Sequence, residues 1–280
     1  MLTTNELLHK KGENIRRMFS SIAPRYDFLN ALLSLTFDRR WRRFAVSVSG
    51  LQAGDKVLDV CTGTGDLAIE YAKAVKSQES GVRSQGSEFK TQDPRLWTHD
   101  SCVVGTDFCE EMLRLAIAKI KNKCRGRFQT YPYNSGNRIK FIKADTLHLP
   151  FPDNTFQVST VAFGIRNVAD LELGIREMTR VISPGGRVVI LEFAEPENKV
   201  FRLLYDFYFH KILPIIGRLI SASKIDAYTY LPSSVQTFPN RWQLKAVMES
   251  CGLEDVKIYP RTFGIVNVHV GKKPRLTHLF

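Results

Sequence analysis

Two glycines flanking a threonine, Gly63-Thr64-Gly65, end a run of strand formers (KVLDVC) and open an amphipathic helix (DLAIEYAKAV). A corner so poor in side chains lets a ligand reach backbone, and in a parallel sheet it faces the cleft at the carboxyl ends of the strands. A tight strand-to-helix turn without a ligand has the same composition. The spacing does not match a dinucleotide site, because Leu67 and Ala68 stand where a third glycine is needed. Two acids shift the balance. The second strand ends in Asp107, placed to accept hydrogen bonds from vicinal ribose hydroxyls. The third ends in Asp145, where a carboxylate can receive an adenine amino group. Singly, Asp107 also reads as an N-cap for EEMLRLA and Asp145 as a turn residue before LPFPDN. Together, in chain order, they point to an adenosine-containing ligand. The interval from Gly65 to Asp107 exceeds the roughly 20 residues usual in such folds, and an insertion near 77–100 accounts for the excess.

The elements that must hold these residues follow from periodicity. From Lys56 the chain alternates strand and helix: KVLDVC, SCVVGTD, IKFIKAD, FQVSTVAF and GRVVILEF are continuous apolar runs separated by helical patterns. Runs without in-out alternation are the sign of parallel strands covered on both faces. DVKIYPRTFG and IVNVHVGKK are joined by a turn too short for a parallel crossover, so they form an antiparallel hairpin at one edge. The fold class is α/β: a doubly wound, Rossmann-like, mostly parallel seven-stranded sheet with an antiparallel C-terminal hairpin. Three helices precede it, around NIRRMFSSIA, through YDFLNALLSL after Pro24, and from Asp38. Residues 1–50 are expected as a helical segment over the active site and 51–280 as the ligand-binding domain. Within it, surface insertions with disordered tips are expected near 77–100 and 124–137, and a helical substrate cap near 198–235.

Composition sets outer bounds. Of 280 residues, 44% are hydrophobic and 24% charged, ordinary for a globular protein. A formal charge of +12 favours an anionic partner, whether nucleic acid, lipid headgroup or acidic metabolite. Five cysteines, an odd set with no zinc-like spacing, suggest reduced thiols and no metal site. The first residues lack the apolar core of a leader. Residues 200–220 are interrupted too often by charge and proline to span a bilayer.

VLDVCTGTGD, GTD and SPGGRVVILEF together resemble class I S-adenosylmethionine-dependent methyltransferases. RMFSSIAPRYDFLN, ADTLHLPFPDNTF, FGIRNVAD and DAYTYLPSSVQTFP are similar, more narrowly, to the UbiE/MenG-type quinone-ring C-methyltransferases. The resemblance implies S-adenosyl-L-methionine as cofactor, with Gly63, Thr64 and Gly65 at its methionine end. It further implies Asp107 at the ribose, Asp145 and Thr146 at the adenine, and Asp59 and Ala162 in the same set. Cys61-Thr62 departs from a more usual Ala-Gly, Asn240 from an aspartate and Gln236 from an arginine. The Cys61-Thr62 departure narrows the loop without removing its two glycines, and the two late departures bear on substrate preference and leave the reaction in place.

The implied reaction methylates a ring carbon of a polyprenyl quinol, demethylmenaquinol before a benzoquinol precursor of ubiquinone. The protein's task is alignment and support of a developing phenolate. Arg166 and Asn167, after the fourth strand, are expected at that oxyanion, with Tyr26 and Asp27 as relay or ring contacts. A guanidinium is a poor proton acceptor, so deprotonation through Arg166 calls for a water or carboxylate relay. The competing reading makes Arg166 a buried ion-pair partner of Asp170 or Glu192. His148 and His269 are lesser candidates for a base. Arginines interleaved with aromatics in DRRWRRF (38–44), and the apolar bulk of 200–220, suit a membrane surface as well as they suit a solvated helix face and a cap. The expected location is cytoplasmic, with contact at the inner face of the membrane; homodimerisation stays open. No nucleic-acid partner is expected, because FGIRN replaces the Asn-Pro-Pro-aromatic motif of base-flipping amino-methylases. A small-molecule or RNA methyltransferase of the same fold, and a basic binding module without activity, are the rival classes.

Overall fold

The structure is a computed structural model that describes residues 6–7, 12–34, 36–82, 103–125, 139–196, 198–207 and 227–275. Its frame is a seven-stranded sheet in the order β3-β2-β1-β4-β5-β7-β6. The strands are β1 (Val57–Val60), β2 (Val103–Asp107), β3 (Ile139–Lys143), β4 (Phe156–Ala162), β5 (Ile182–Phe193), β6 (Glu254–Arg261) and β7 (Val266–Lys272). β1 to β5 pair in parallel, whereas β7 runs antiparallel to both β5 and β6. β1 and β2 are buried along their whole length, as their unbroken apolar runs require. Strand order reverses between β1 and β4, which opens a crevice at their carboxyl ends.

Helices α1 (Gly12–Ile22), α2 (Tyr26–Leu33) and α3 (Phe37–Val48) precede the sheet; α4 (Asp66–Val82), α5 (Glu110–Arg125) and α6 (Leu171–Val181) cross between strands. The α7 (Lys199–Phe207), α8 (Ala227–Gln236) and α9 (Arg241–Ser250) helices lie between β5 and the hairpin. Alternate strand residues feed opposite faces of the sheet. Leu58, Val104 and Ile190 pack with Ile175 and Met178 of α6 and Met248 of α9. Val57, Val103 and Val189 pack with Trp41 and Ala45 of α3 and Leu67 and Tyr71 of α4. At roughly 25 cal/mol per Å² of apolar area these two layers carry most of the hydrophobic stabilisation.

Several expectations are corrected. α4 continues through Val82, beyond the expected insertion boundary at 77, and α5 runs to Arg125; the expected disordered tips lie outside the described residues. β5 begins at Ile182, so SPGG is part of the strand. In DRRWRRF the aromatic Trp41 is buried against Phe163 and Phe193, and its indole N–H donates to Thr262 Oγ1 at 2.8 Å. Arg42 also turns inward, pairing with Asp38 at 2.6 Å, which leaves Arg39, Arg40 and Arg43 exposed. The 3.6-residue period explains this: Asp38, Trp41, Arg42 and Ala45 share one stripe.

Candidate active site

The corner between β1 and α4 divides its residues between two directions. Gly63 (φ 56°) faces the crevice, and a Cβ there would meet nothing closer than Tyr26 Cε1 at 3.9 Å. Gly65 (φ 78°) faces the protein, where a Cβ would fall 2.7 Å from Phe141 Cζ and 3.1 Å from Ala116 Cβ. Thr64 points to a third side: its hydroxyl donates to Asp27 Oδ1 at 2.5 Å and accepts from Lys119 Nζ at 2.9 Å. Of the three loop residues expected at the methionine end, Gly63 lines the crevice, Thr64 borders a small adjoining cavity of about 30 Å³ that shares Tyr26, Cys61, Gly63 and Phe163 with it, and Gly65 borders neither. Asp59 borders the same small adjoining cavity and braces the loop from below. Its Oδ2 accepts from Thr62 Oγ1 at 2.6 Å and from the Ala68 amide at 3.1 Å, and burial pushes its carboxyl up to about 7.

The crevice is a cavity of about 110 Å³ walled by Gly63, Asp107, Asp145, Thr146, Ala162 and Asn167 together with Cys61, Phe19 and Tyr26. Asp107 accepts the Gly63 amide on Oδ2 and the Cys109 amide on Oδ1, both at 2.8 Å. Burial raises its carboxyl to about 6 against the pull of these bonds. Asp107 does not cap the helix, which begins at Glu110; its carboxylate braces the Gly63 and Cys109 amides while bordering the cavity, and each oxygen has a second lone pair to offer. Asp145 is exposed at the rim and closes a small turn by accepting the Leu147 amide at 3.0 Å. Thr146 is buried beside it with its hydroxyl 3.3 Å from Cys61 Sγ. Backbone N–H and paired carboxylate lone pairs around a wall without side chain suit a nucleoside with vicinal hydroxyls.

A second cavity of about 80 Å³ adjoins the first, with Phe19, Tyr26 and Phe163 in both walls. Its lining is mainly apolar, from Met18, Ile22, Phe193 and Leu231, with Asn30, Ser34, Asp38, Arg42, Arg166 and Tyr230 as polar groups. Arg166 is buried; its Nη1 donates to Glu192 Oε1 at 2.6 Å and to the Phe163 carbonyl at 2.5 Å, and its Nε reaches Ser234 Oγ at 3.4 Å. The ion-pair reading of Arg166 is thus realised with Glu192. Asp170 instead caps α6 through the Leu173 amide. Burial pulls the Arg166 pKa down, but Glu192, Tyr230 and Tyr26 offset this and hold it above the usual arginine range. The Tyr230 hydroxyl donates to Asn167 Oδ1 at 2.9 Å, which leaves the Asn167 amide N–H groups for the crevice. Burial raises the Tyr26 hydroxyl, opposed by Asn30, Arg166 and Arg42.

Tyr26, Arg166 and Asn167 are therefore brought together, and Asp27 is not. Its carboxylate sits 2.7 Å from Lys119 Nζ and borders neither cavity, because one residue along a helix turns the side chain by about 100°. His269 is buried on β7, neutral, bonded to the Arg241 carbonyl at 2.9 Å and pushed down to about 4 by burial. His148 is exposed and borders neither cavity. Tyr230, Glu192 and Lys119 were outside the expected site. The YTYL motif marked the position of Tyr230; nothing in the pattern of α5 singled out Lys119.

Residues 7–273 match the sequence model of the ubiE/COQ5 methyltransferase family. The ubiquinone/menaquinone biosynthesis C-methyltransferase UbiE of Geobacter sulfurreducens is 44% identical over 266 residues, covering 95% of this chain and 91% of the relative. A demethylmenaquinone methyltransferase of Thermus thermophilus is 43% identical over 257 residues, covering 92% of this chain and 100% of the relative. Among solved structures, a SAM-dependent methyltransferase of Thermotoga maritima, described as a possible histamine N-methyltransferase, superposes with a TM-score of 0.53. It is 14% identical and covers 92% of this chain and 98% of its own, a likeness of fold.

Proposed function

The chain belongs to the ubiE/COQ5 methyltransferase family, and we propose that its two adjoining cavities hold S-adenosylmethionine and the ring of demethylmenaquinol, with Arg166 at the ring hydroxyl. The protein is an S-adenosylmethionine-dependent C-methyltransferase of quinone biosynthesis. The naphthoquinol is preferred over a benzoquinol because the Thermus thermophilus relative bears that activity in its name. The observation that carries the reading is the shared wall: Tyr26 and Phe163 border both the polar crevice and the apolar cavity that contains Arg166.

The bound cofactor supplies an electrophilic methyl on a sulfonium. Gly63 and Asp107 would hold it through backbone and ribose contacts, with Asp145 and Thr146 at the adenine and Ala162 offering no hydroxyl. The chain's own work is alignment and charge. Phe19, Tyr26, Phe163 and Phe193 clamp a flat ring and exclude water. Arg166 faces the hydroxyl whose deprotonation makes the neighbouring carbon nucleophilic, and Asn167 donates from the crevice side. Arg166→Ala is expected to keep binding of S-adenosylhomocysteine by calorimetry and to lose about 10²- to 10³-fold in kcat. Equal loss of both would assign Arg166 to structure.

The polyprenyl tail needs a way out of this cavity toward lipid. Phe193 also borders a groove of about 470 Å³ that passes Val235, Phe238 and Phe263. Beside it α7 exposes Val200, Leu203 and Phe207, positions three and four apart on one face, while Phe201 stacks on Phe263 at 4.0 Å. Among the described residues no helix is long and apolar enough to cross a membrane. Peripheral contact through this face, helped by Arg39, Arg40 and Arg43, is the reading that suits a lipid-soluble substrate. Flotation on vesicles with and without anionic lipid tests it; a Leu203→Glu variant that floats as well as the unchanged chain would dismiss the face.

A further inference from the structure

We propose that Asp38 is the general base of the reaction: its carboxylate, in the wall of the ring cavity, takes the proton of the quinol hydroxyl that Arg166 faces. The inference rests on the placing of the quinol ring beside Arg166 and goes beyond it by naming where the proton goes.

Activation of a ring hydroxyl needs a proton acceptor, and the lining of the cavity offers few ionisable groups. The guanidinium groups of Arg166 and Arg42 are poor acceptors. Burial raises the hydroxyl pKa of Tyr26 and of Tyr230, so both hold their protons at neutral pH. Asp38 is the one carboxylate in that lining among the described residues; Glu192, the partner of Arg166, does not border the cavity. Asp38 stands in the first turn of α3 and is 6% exposed. Its Oδ1 accepts from Ser34 Oγ at 2.9 Å and its Oδ2 from Arg42 Nη1 at 2.6 Å, and Arg42 in turn reaches Asp66 at 3.5 Å. Two donors thus hold the carboxylate in one orientation, and each of its oxygens keeps a lone pair to offer. The cavity measures about 80 Å³, so a flat ring inside it meets both the Asp38 wall and the Arg166 wall. Arg166 and Arg42 both oppose the rise at Tyr26, which brings the Asp38–Arg42 pair and Arg166 to the same neighbourhood.

The step balances without a co-reactant. The ring O–H bond breaks, its proton bonds to Asp38 Oδ1, and the electron pair stays on oxygen as a phenolate facing Arg166. The neighbouring carbon bonds to the cofactor's methyl as the C–S bond breaks toward sulfur. That carbon then loses its hydrogen as a proton to solvent, which restores the aromatic ring, while Asp38 returns its own proton to the ring oxygen. One proton is released overall and the carboxylate is regenerated. The charged and titratable groups around Asp38 and its partner Arg42 come from several elements. They are Arg39 and Arg40 on α3, Asp66 on α4 with Lys119 of α5 paired to it, Asp59 on β1 and Cys61 in the loop after it, Tyr26 on α2, Arg166 with its partner Glu192, and Tyr230 on α8.

The test is single-turnover methylation of a short-tailed demethylnaphthoquinol by the full chain under argon, between pH 7 and 8.5. The unchanged enzyme is expected to vary by less than about threefold, whereas Asp38→Asn falls by at least about tenfold at pH 7 and climbs toward tenfold per pH unit as hydroxide replaces the base. The loss also shrinks with analogues whose hydroxyl is made more acidic by fluorine on the distal ring, because a more acidic O–H needs the base less. A misplaced ring would lose the same factor at every pH and with every analogue. Calorimetry gives a second readout on the unchanged chain. 4-Nitro-1-naphthol is a naphtholate at pH 8, and its binding beside S-adenosylhomocysteine must draw in about one proton, shared between the naphtholate and Asp38 and read from the dependence of heat on the buffer's ionisation enthalpy. Asp38→Asn draws in none; if that variant does not fold, the titration of the unchanged chain decides alone. A steeper profile in the unchanged enzyme, a smaller fall in Asp38→Asn, a loss constant across pH or across the analogues, or binding without proton uptake would each overturn the assignment and leave the Arg166 reading in place. An unchanged chain that does not methylate the quinol, or a fully active Arg166→Ala, would sink the reading beneath and the inference with it.

Discussion

Asp27 on α2 and Lys119 on α5 meet at 2.7 Å across the mouth of the glycine corner. Lys119 also reaches Asp66 at 2.7 Å and Thr64 at 2.9 Å, and Arg42 reaches Asp66 at 3.5 Å. The helices before the sheet are thereby tied to the loop that carries Gly63. A latch and a proton relay make opposite demands on Asp27, which the next experiment separates.

Asp27→Asn is expected to leave kcat within about twofold and to weaken binding of S-adenosylhomocysteine several-fold. The carboxylate is nearly half exposed at 46%, so its ion pair contributes no more than about 1 kcal/mol to stability. Calorimetric titration beside steady-state kinetics reads both quantities. A hundredfold fall in kcat at unchanged affinity would return Asp27 to the chemistry.

The two loop glycines fail differently when a methyl is added. Gly65→Ala drives Cβ to 2.7 Å from Phe141 at a φ of 78°, so a loss of about 1–3 kcal/mol in stability is expected from overpacking and backbone strain. Gly63→Ala has room, with 3.9 Å to Tyr26, and costs about 1–2 kcal/mol for its αL backbone alone while placing a methyl where the cofactor belongs. Melting temperature should fall mainly for Gly65→Ala and cofactor affinity mainly for Gly63→Ala. The reverse pattern would mean the loop faces the other way in solution.

The buried Asp59 sets a pH dependence of stability. Its carboxyl is raised from 3.8 to about 7, first by burial, against the pull of Thr62 and Ala68. Between those values the folded chain holds a proton that the unfolded chain has released. The group's stabilising effect is therefore full below the unfolded value and is lost as pH rises through about 7, with a slope of up to about 1.4 kcal/mol per pH unit. Asp107, raised to about 6, acts in the same sense at slightly lower pH. Asp59→Asn carries no such proton, so thermal melts of variant and unchanged chain should converge between pH 6 and 7.5. Parallel curves would dismiss the shifted carboxyl.

The sheet was legible from the chain because unbroken apolar runs and a short final turn leave few topologies, and strand ends alone place Asp107 and Asp145 beside a cleft. What periodicity does not carry is direction within an irregular corner. Cys61 (φ 49°), Gly63 and Gly65 all have left-handed backbone, so Gly63, Thr64 and Gly65 look three ways although they are adjacent. Tyr26 and Asp27 were indistinguishable as neighbours in sequence, and only the packing of α2 on α5 decides which enters the cavity. The Arg166–Glu192 pair was foreseen as an alternative to a catalytic arginine; in the structure one guanidinium has room for both roles, since a fork of donors can hold a carboxylate and still present a free edge.

Cys61 gives the last prediction. It lines the crevice, and a nucleophilic role would need thiolate. Burial drives its thiol far above the ordinary range, with Asp107 adding to the rise, and only Thr146 at 3.3 Å opposes it. Its Cβ also occupies the space beside Gly164, where a methyl would lie 2.4 Å away. The side chain therefore acts as a small packing group that fixes the fourth-strand loop against the first. Iodoacetamide at pH 8 should leave Cys61 unmodified in peptide mass maps of the folded chain. Cys61→Ala should keep kcat within about threefold and lose about 1 kcal/mol or less of stability, whereas Gly164→Ala should cost more than that through the clash. Rapid alkylation of Cys61, slowed by S-adenosylhomocysteine, would show a thiolate in the crevice and reopen the case for a chemical role.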